Sequence, residues 1–326
     1  MTNIILIGCG NIGLRHFQSL LTYVEPLNIY IVEPDLSKKI KIDNLYKDNT
    51  QNKRHTINLY THHLNLPLDI KMHVLIIATS SSVRSLIIED IFKNNIPQFT
   101  LLEKFLFQDK KDYFKIEEIF LKSQAKVWVN QNMVIQEAFR EVADYFKASN
   151  KIEMAVCGGN WGLCCNHVHF IDYFDYLTMR KGKMKSSLVK FRHTLPSKRN
   201  GFYDIIGRVE IVNQNLSTLI LETDDDKKND EVFITIKDDQ NSISLRVNDN
   251  IMNGEFLINN KKFSKEYKNL YQSELTSKIV YNLLNNFINY LPTYSMSKNH
   301  HLVLFDEFND FFKGNNLAGD NFLPIT

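Results

Sequence analysis

Along the first part of the chain, short apolar runs alternate with stretches of mixed polarity. Asn3–Ile7 reads as a buried strand, Asn11–Tyr23 as a helix and Leu27–Val32 as a second strand. Polar sequence follows to about Lys53, and a weaker strand is expected at Thr56–Tyr60. Val74–Ala78 is a continuous apolar run bounded by polar residues, the pattern of a strand covered on both faces. A helix at Val83–Lys93, a strand at Phe99–Leu102, a helix at Tyr113–Lys122 and a strand at Lys126–Val129 continue the alternation. Apolar strands alternating with helices predict a doubly wound parallel sheet, with helices on both faces.

After about residue 130 the texture changes. Ile135–Phe146 has a helical period, Ile152–Val156 reads as a strand and His167–Leu177 as a helix. From Ser186 to Ile258 strand follows strand: Leu188–Phe191, Arg208–Val212, Ser217–Leu221, Val232–Ile236, Ser242–Val247 and Glu255–Ile258. Polar turns such as Asn213-Gln214-Asn215 separate them, and Asp224–Asp230 is expected to be a hairpin tip. Strands joined in this way predict a large open, mainly antiparallel sheet. Two helices close the chain, Gln272–Tyr290 and Lys298–Phe312, broken at Leu291-Pro292. The expected organisation is an α/β chain of two domains, residues 1–125 and 126–326.

Composition narrows the function classes. The 326 residues are 44% apolar and 23% charged, as in an ordinary globular protein. Lys+Arg is 39 and Asp+Glu 37, a net charge of +2, which argues against a nucleic-acid partner. Met1-Thr2-Asn3 runs straight into Ile4–Ile7 without a basic n-region, so no secretory signal is expected. No apolar stretch reaches the length of a membrane helix, so no membrane partner is expected. The cysteines Cys9, Cys157, Cys164 and Cys165 form no C-x-x-C pair, so neither a disulfide framework nor a metal site is expected. A reducing cytoplasm fits this pattern.

Gly8-Cys9-Gly10-Asn11-Ile12-Gly13 is a G-x-G-x-x-G string between an expected strand and an expected helix. Of 12 glycines in the chain, three fall in these six positions, which a chance match seldom gives. Gly8 permits a tight turn, Gly10 lets a pyrophosphate approach the backbone, and Gly13 lets the helix pack closely on the sheet. The diphosphate then meets the free N–H groups of the helix start, at Asn11 and Ile12. Glu33 stands 20 positions after Gly13, at the end of the second strand. A carboxylate there accepts from ribose hydroxyls and repels a 2′-phosphate, so NAD is expected over NADP. Asp35 is a rival for that role.

Other candidates sit at strand ends, where ligands of such sheets lie. Thr79 and Ser80 follow the fourth strand; Ser80 can meet the cofactor or cap the next helix. Glu103-Lys104 ends the fifth. Lys104 can act as general acid and base if its surroundings suit, and Glu103 can hold the lysine or the nicotinamide ribose. Its alternative is a surface ion pair. Further on, Gly158–Asp172 includes three more glycines and opens a helix on which His169 and Asp172, at i and i+3, share a face. A histidine facing a cleft can pass protons to a substrate oxygen; otherwise such histidines pack or cap.

The glycine string followed by Arg15-His16, the Glu103-Lys104 pair and the order His169-x-x-Asp172, at these separations, resemble the Gfo/Idh/MocA oxidoreductases, over essentially the whole chain. The resemblance implies a Rossmann domain followed by an α/β domain that binds substrate and forms a homodimer or homotetramer through its sheet. It implies hydride transfer between a nicotinamide and a carbinol carbon of a sugar, with Lys104 catalytic and His169 its partner. Two positions depart from the family pattern. Phe105 replaces the proline of Glu-Lys-Pro; a cis bond before it is costly, so the strand end is expected to differ from the family's commonly cis geometry. Cys165 replaces the aspartate four residues before the histidine, with Asn166 beside it as a polar substitute. Trp161 and Asn166, with Lys198-Arg199, further resemble a branch found among surface-polysaccharide enzymes. This implies a sugar or nucleotide-sugar substrate, such as an activated acidic sugar of the nonulosonate kind, with Lys198 and Arg199 placed for a phosphate or carboxylate; a basic loop in solvent is their alternative. The alternatives are a non-catalytic NAD(H)-binding sensor or partner protein of this fold, and a redox-cycling hydrolase or epimerase that retains NAD.

Overall fold

The computed structural model describes residues 1–48, 54–67, 69–180, 182–225, 231–248 and 250–326. Within them the chain divides into two compact units. The first comprises Met1–Phe107, Lys111–Asn130 and Leu270–Ser295; the second comprises Gln108–Lys110, Gln131–Asn269 and Met296–Thr326. Residues 126–130 and 270–295 thus belong with the N-terminal body. Leu270–Ser295 carries α7 (Gln272–Leu284), which packs on α1 (Asn11–Leu20).

The first unit is built on six parallel strands: β1 (Thr2–Ile7), β2 (Leu27–Val32), β3 (Thr56–Tyr60), β4 (Val74–Ile77), β5 (Phe99–Leu102) and β6 (Val127–Val129). Their order is β3-β2-β1-β4-β5-β6, the two-halved Rossmann arrangement, which reverses direction between β1 and β4. Ile4–Leu6 and Val74–Ile77 are shut off from water entirely, which is why these strands read as unbroken apolar runs. The outer edge of β6 is covered by its own unit: Val129 N donates to Pro292 O at 3.1 Å, and Trp128 bridges Thr293. Besides α1 and α7, the unit holds α2 (Leu36–Asp48), α3 (Ser81–Asn94) and α4 (Lys110–Ser123), the last starting at the boundary of the second unit. The sequence reading has no helix at Leu36–Asp48. Only Ile42 is buried there, so α2 carries too narrow an apolar stripe to show a period.

The second unit holds an eight-stranded sheet in the order β14-β13-β12-β11-β7-β10-β9-β8. The strands are β7 (Glu153–Gly158), β8 (Lys185–Pro196), β9 (Tyr203–Val212), β10 (Thr218–Thr223), β11 (Val232–Lys237), β12 (Ser242–Asn248), β13 (Ile251–Ile258) and β14 (Lys261–Lys268). All neighbours are antiparallel except β7 and β10. Since β10 and β11 flank β7 instead of pairing with each other, the expected hairpin at Asp224–Asp230 is a crossover between them. Residues 226–230 of that segment lie outside the described ones. One sheet face, with Val156, Val209, Leu221 and Ile234, is buried, and α6 (Leu163–Leu177) packs on β9 and β10.

Both edges of this sheet have marked features. β14, absent from the sequence reading, bears Lys261, Lys262, Lys265 and Lys268 and is exposed at every position but Tyr267. β8 breaks register between Ser186 and Leu188 and between Phe191 and His193, and ends at Pro196. Helix α5 (Glu137–Asp144) lies beside α6. The expected last helix is two, α8 (Tyr294–Leu302) and α9 (Phe305–Gly314), parted at Val303-Leu304. Among the described residues, no helix is long and apolar enough to cross a membrane.

Candidate active site

In the first unit, the ends of β1, β2, β4 and β5 bring together most of the residues singled out from sequence. Gly8 leaves β1 at φ +88°, in the left-handed region; a Cβ there would stand 2.9 Å from Thr79 N. A Cβ on Gly13 would stand 2.0 Å from Gly8 O, so helix and turn meet with no room for a methyl group. Gly10 is different: nothing in the protein lies within 4 Å of a Cβ placed on it. The turn is therefore tightly packed on the protein side and open where Gly10 begins α1. No side chain caps that helix start, and Asn11 is exposed beside it. Backbone donors next to open space suit a diphosphate.

Glu33 is nearly buried against the same turn. Its Oε2 accepts from Cys9 N at 2.6 Å and its Oε1 from Asp35 N at 3.0 Å. Burial, followed by the charge of Glu33, pushes the Cys9 thiol far up, so it stays a neutral packing group. Asp35 instead accepts from Ser37 N at 2.8 Å, and hydrogen bonds from Ser37 hold its carboxyl below the usual range. Its hydrogen bonds are local to the start of α2.

At the end of β4, the Thr79 hydroxyl is buried without a hydrogen-bond partner. Ser80 stands at the N-cap position of α3, but its hydroxyl meets Ser82 Oγ at 2.8 Å instead of a helix N–H. The capping alternative is thus realised in backbone position only. Arg84, buried and unremarked in the sequence, donates to the carbonyls of Thr79, Phe105 and Leu106, and so ties the end of β4 to the end of β5. The Lys104–Phe105 peptide is cis, so the expectation that Phe105 changes this geometry is corrected. Lys104 is half-buried, whereas Glu103 is buried and bound to His16 and Asn130. The surface ion pair considered from sequence is not what the carboxylate makes.

In the second unit, His169, Trp161 and Asn166 line one cleft of about 200 Å³, together with Asn132, Gln136 and Asn269. The Trp161 indole donates to Glu222 O at 2.8 Å and its ring lies edge-on to Phe170, so the ring is fixed in place. Asn166 donates to Trp161 O at 2.6 Å, and Cys165 Sγ to Gly162 O at 3.7 Å. The start of α6 is capped from another strand, by Asp204, whose Oδ1 accepts from Cys164 N at 2.8 Å. Of the two histidines in the motif, His167 is core: it is fully buried, with Nδ1 3.0 Å from Cys164 O and its ring against Phe308.

Three residues fall elsewhere. Asp172 is fully buried, with no hydrogen-bond partner on either oxygen; His300 Nδ1 lies 3.9 Å from its Oδ1. Burial pushes its carboxyl up to about 7, against the opposing pull of His300 and Arg180. Helical spacing put it on the stripe of His169, but α6 is buried on nearly every side, so that stripe turns inward at Asp172. Lys198 and Arg199 are exposed on the turn between β8 and β9, and Arg199 reaches Thr326 Oγ1 at 3.0 Å. Neither lines the cleft.

No family model matches the chain, and no curated protein matches it. Solved structures do. A Gfo/Idh/MocA family oxidoreductase from Vibrio cholerae superposes with a TM-score of 0.66 at 14% identity, covering 93% of this chain and 96% of that one. The chain has the Gfo/Idh/MocA fold. An oxidoreductase from Agrobacterium radiobacter, in complex with NAD+, L-tartaric acid and magnesium, is similar at TM-score 0.71 and 12% identity, over 93% and 94% of the two chains. UDP-N-acetylglucosamine 3-dehydrogenase GnnA from Acidithiobacillus ferrooxidans is similar at TM-score 0.67 and 10% identity, over 92% and 94%. At such identities the likeness is one of fold.

Proposed function

We propose that the protein is an NAD-dependent oxidoreductase acting on a carbinol carbon of a sugar, with Lys104 and His169 as its acid–base residues. The observation that carries this reading is the turn at Gly8–Gly13, closed to a methyl group at Gly13 and open at Gly10, with Glu33 fastened to it. That is the shape and chemistry a dinucleotide needs at the point where the strand order reverses. Gly8, Gly10, Asn11, Ile12 and Gly13 would hold the diphosphate, Glu33 the adenosine ribose, and Thr79 and Ser80 the neighbouring part. When bound, the nicotinamide supplies hydride acceptor and donor. Glu33 favours NAD over NADP, because a 2′-phosphate would bring a second negative charge to a buried carboxylate.

The protein's own part is proton transfer and placement. In oxidation, Lys104 takes the hydroxyl proton as the carbon loses its hydride; in reduction it returns one, with His169 assisting. Trp161 presents a fixed aromatic face and Asn166 an amide, groups that suit the apolar face and the hydroxyls of a sugar ring. Among the described residues, the cleft of His169 is lined by no Lys, Arg, Asp or Glu. Its polar lining includes the amides of Asn132, Gln136, Asn166 and Asn269, which suit the hydroxyls of a sugar; Lys198, Arg199 and Asp172 are not part of it. Arrangement as a homodimer or homotetramer through the eight-stranded sheet belongs to the same reading, and light scattering on the eluted protein checks it.

The test is a screen of free, phosphorylated and nucleotide-linked sugars with NAD and NADP, following the reduced cofactor. Lys104→Ala should lose turnover by about 10²–10⁴-fold while NAD binding stays nearly intact. Normal turnover in this variant removes Lys104 from the mechanism. Tight NAD binding without turnover on any sugar points to the non-catalytic alternative.

A further inference from the structure

The second unit has another opening, at the C-terminal end of the helix that carries His169. A cavity of about 680 Å³ lies between the end of α6, the segment that follows it, the β9–β10 turn and α8. It shares no lining residue with the cleft of His169. Its polar lining is made by Asp175, Arg180, Lys183, Gln214, Asn299 and His300, all within the second unit.

The chain reaches this place through a tight reversal. After α6, Met179 and Arg180 both have positive φ, +60° and +55°, and Arg180 N donates to Asp175 O at 2.7 Å. This holds Arg180 next to the last turn of its own helix, with its guanidinium against Met296 Sδ of α8. Gly182 follows at φ +97°, and a Cβ on it would stand 2.6 Å from Gln214 Oε1. The segment is thus pressed against the β9–β10 turn, and Arg180 and Lys183 stand at one opening.

The floor is buried. Asp175 Oδ2 lies 3.2 Å from His300 Nε2; a carboxylate only accepts, so that ring nitrogen carries the hydrogen. His300 is 1% exposed, and behind it Gln131 Nε2 lies 3.4 Å from Nδ1. One oxygen of Asp175 is therefore fixed from within, while the other accepts no hydrogen bond among the described residues. The rim is unpaired in the same sense. Among the described residues, Arg180 and Lys183 meet no carboxylate within ion-pair distance, and the side-chain amides of Gln214 and Asn299 make no hydrogen bond. Elsewhere in this unit Arg208, Arg246 and Lys265 each meet a glutamate.

We propose that this cavity is a second ligand site, which binds a small hydroxylated anion, a sugar phosphate or a sugar acid, with Arg180 and Lys183 on its charged group and Asp175, Gln214 and Asn299 on its hydroxyls. The volume is that of a small-molecule site. Arg and Lys are the donors that suit a phosphate or carboxylate. The carboxylate on the floor selects further: it repels an ion that offers only negative charge and accepts from a hydroxyl. The site is separate from that of hydride transfer, and its occupancy depends neither on NAD nor on Lys104.

Isothermal titration calorimetry on the full-length protein without NAD tests this. The probes are glucose-6-phosphate and glucuronate, which share a ring and differ in the charged group, so their ranking separates phosphate from carboxylate. Glucose and inorganic phosphate serve as the separate halves. At least one of the two probes should bind, about tenfold or more tighter than either half. Arg180→Gln and Lys183→Gln should each weaken that binding by about tenfold or more. Both side chains are exposed, so these variants should melt like wild type. Lys198→Gln removes the same charge from the β8–β9 turn, and Trp161→Ala alters the cleft of His169; each should leave the affinity within about twofold of wild type. Equal losses in Lys198→Gln and Arg180→Gln mark general attraction to positive charge and overturn the proposal. So does binding that is lost in Trp161→Ala and kept in Arg180→Gln, inorganic phosphate that binds as tightly as the probes, or failure of both probes to bind with a Kd below about 10 mM.

Discussion

The glycines of the first turn do two different jobs, and substitution can separate them. A methyl group on Gly10 meets no protein atom, so Gly10→Ala should fold and melt like the parent. If the open space above it is for a diphosphate, the same methyl group should weaken NAD binding by about tenfold or more, a loss of ~1.4 kcal/mol. Gly13→Ala drives a methyl group into Gly8 O and should cost about 1–3 kcal/mol of stability whether or not NAD is present. Melting curves and a dinucleotide titration on both variants decide this; a Gly10→Ala protein that binds NAD as well as its parent denies the turn its role. Such residues are legible because their neighbours in space are neighbours in sequence. His16, Asn130, Gln272 and Thr276 are not, since the hydrogen-bond network around the Glu103 carboxylate gathers side chains from both ends of the chain. The signal that was available was His16 itself, a histidine on the first helix beside an otherwise apolar interior.

Among the elements, Asp172 links α6 to α8 through His300, which also meets Asp175 Oδ2 at 3.2 Å. Its carboxyl rises from 3.8 to about 7 on folding, so the folded state holds an extra proton between those values. Stability from this group is full below about pH 4, falls as the pH rises toward 7 and stays low above. Asp172→Asn should therefore melt higher than wild type at pH 8, by roughly 5 °C, and no higher at pH 4. A gain of the same size at both pH values contradicts the assignment. The elements also divide by how much of their burial the sequence displays. β1, β4 and β5 lie inside a sheet covered on both faces, and their apolar runs give them away. α2 and β14 bury almost nothing and leave no period to read. The split between α8 and α9 escapes because Leu304, at the break, is itself buried and continues the apolar pattern.

For the whole molecule, two bodies make ligand effects separable. NAD at about 100 times its dissociation constant adds ~2.7 kcal/mol to the unit that binds it. The transition of the first unit should then rise by roughly 5–10 °C in calorimetry; a thermogram unmoved by NAD speaks against the dinucleotide reading. The second unit is marked more by the ends of its sheet than by its middle. An incoming strand at β14 would meet a border bearing Lys261, Lys262 and Lys268, with Lys265 tied to Glu141, and at β8 a bulged, proline-ended one. Both margins are therefore poor templates for a further strand, and the sheet resists lengthening edge to edge into a fibril.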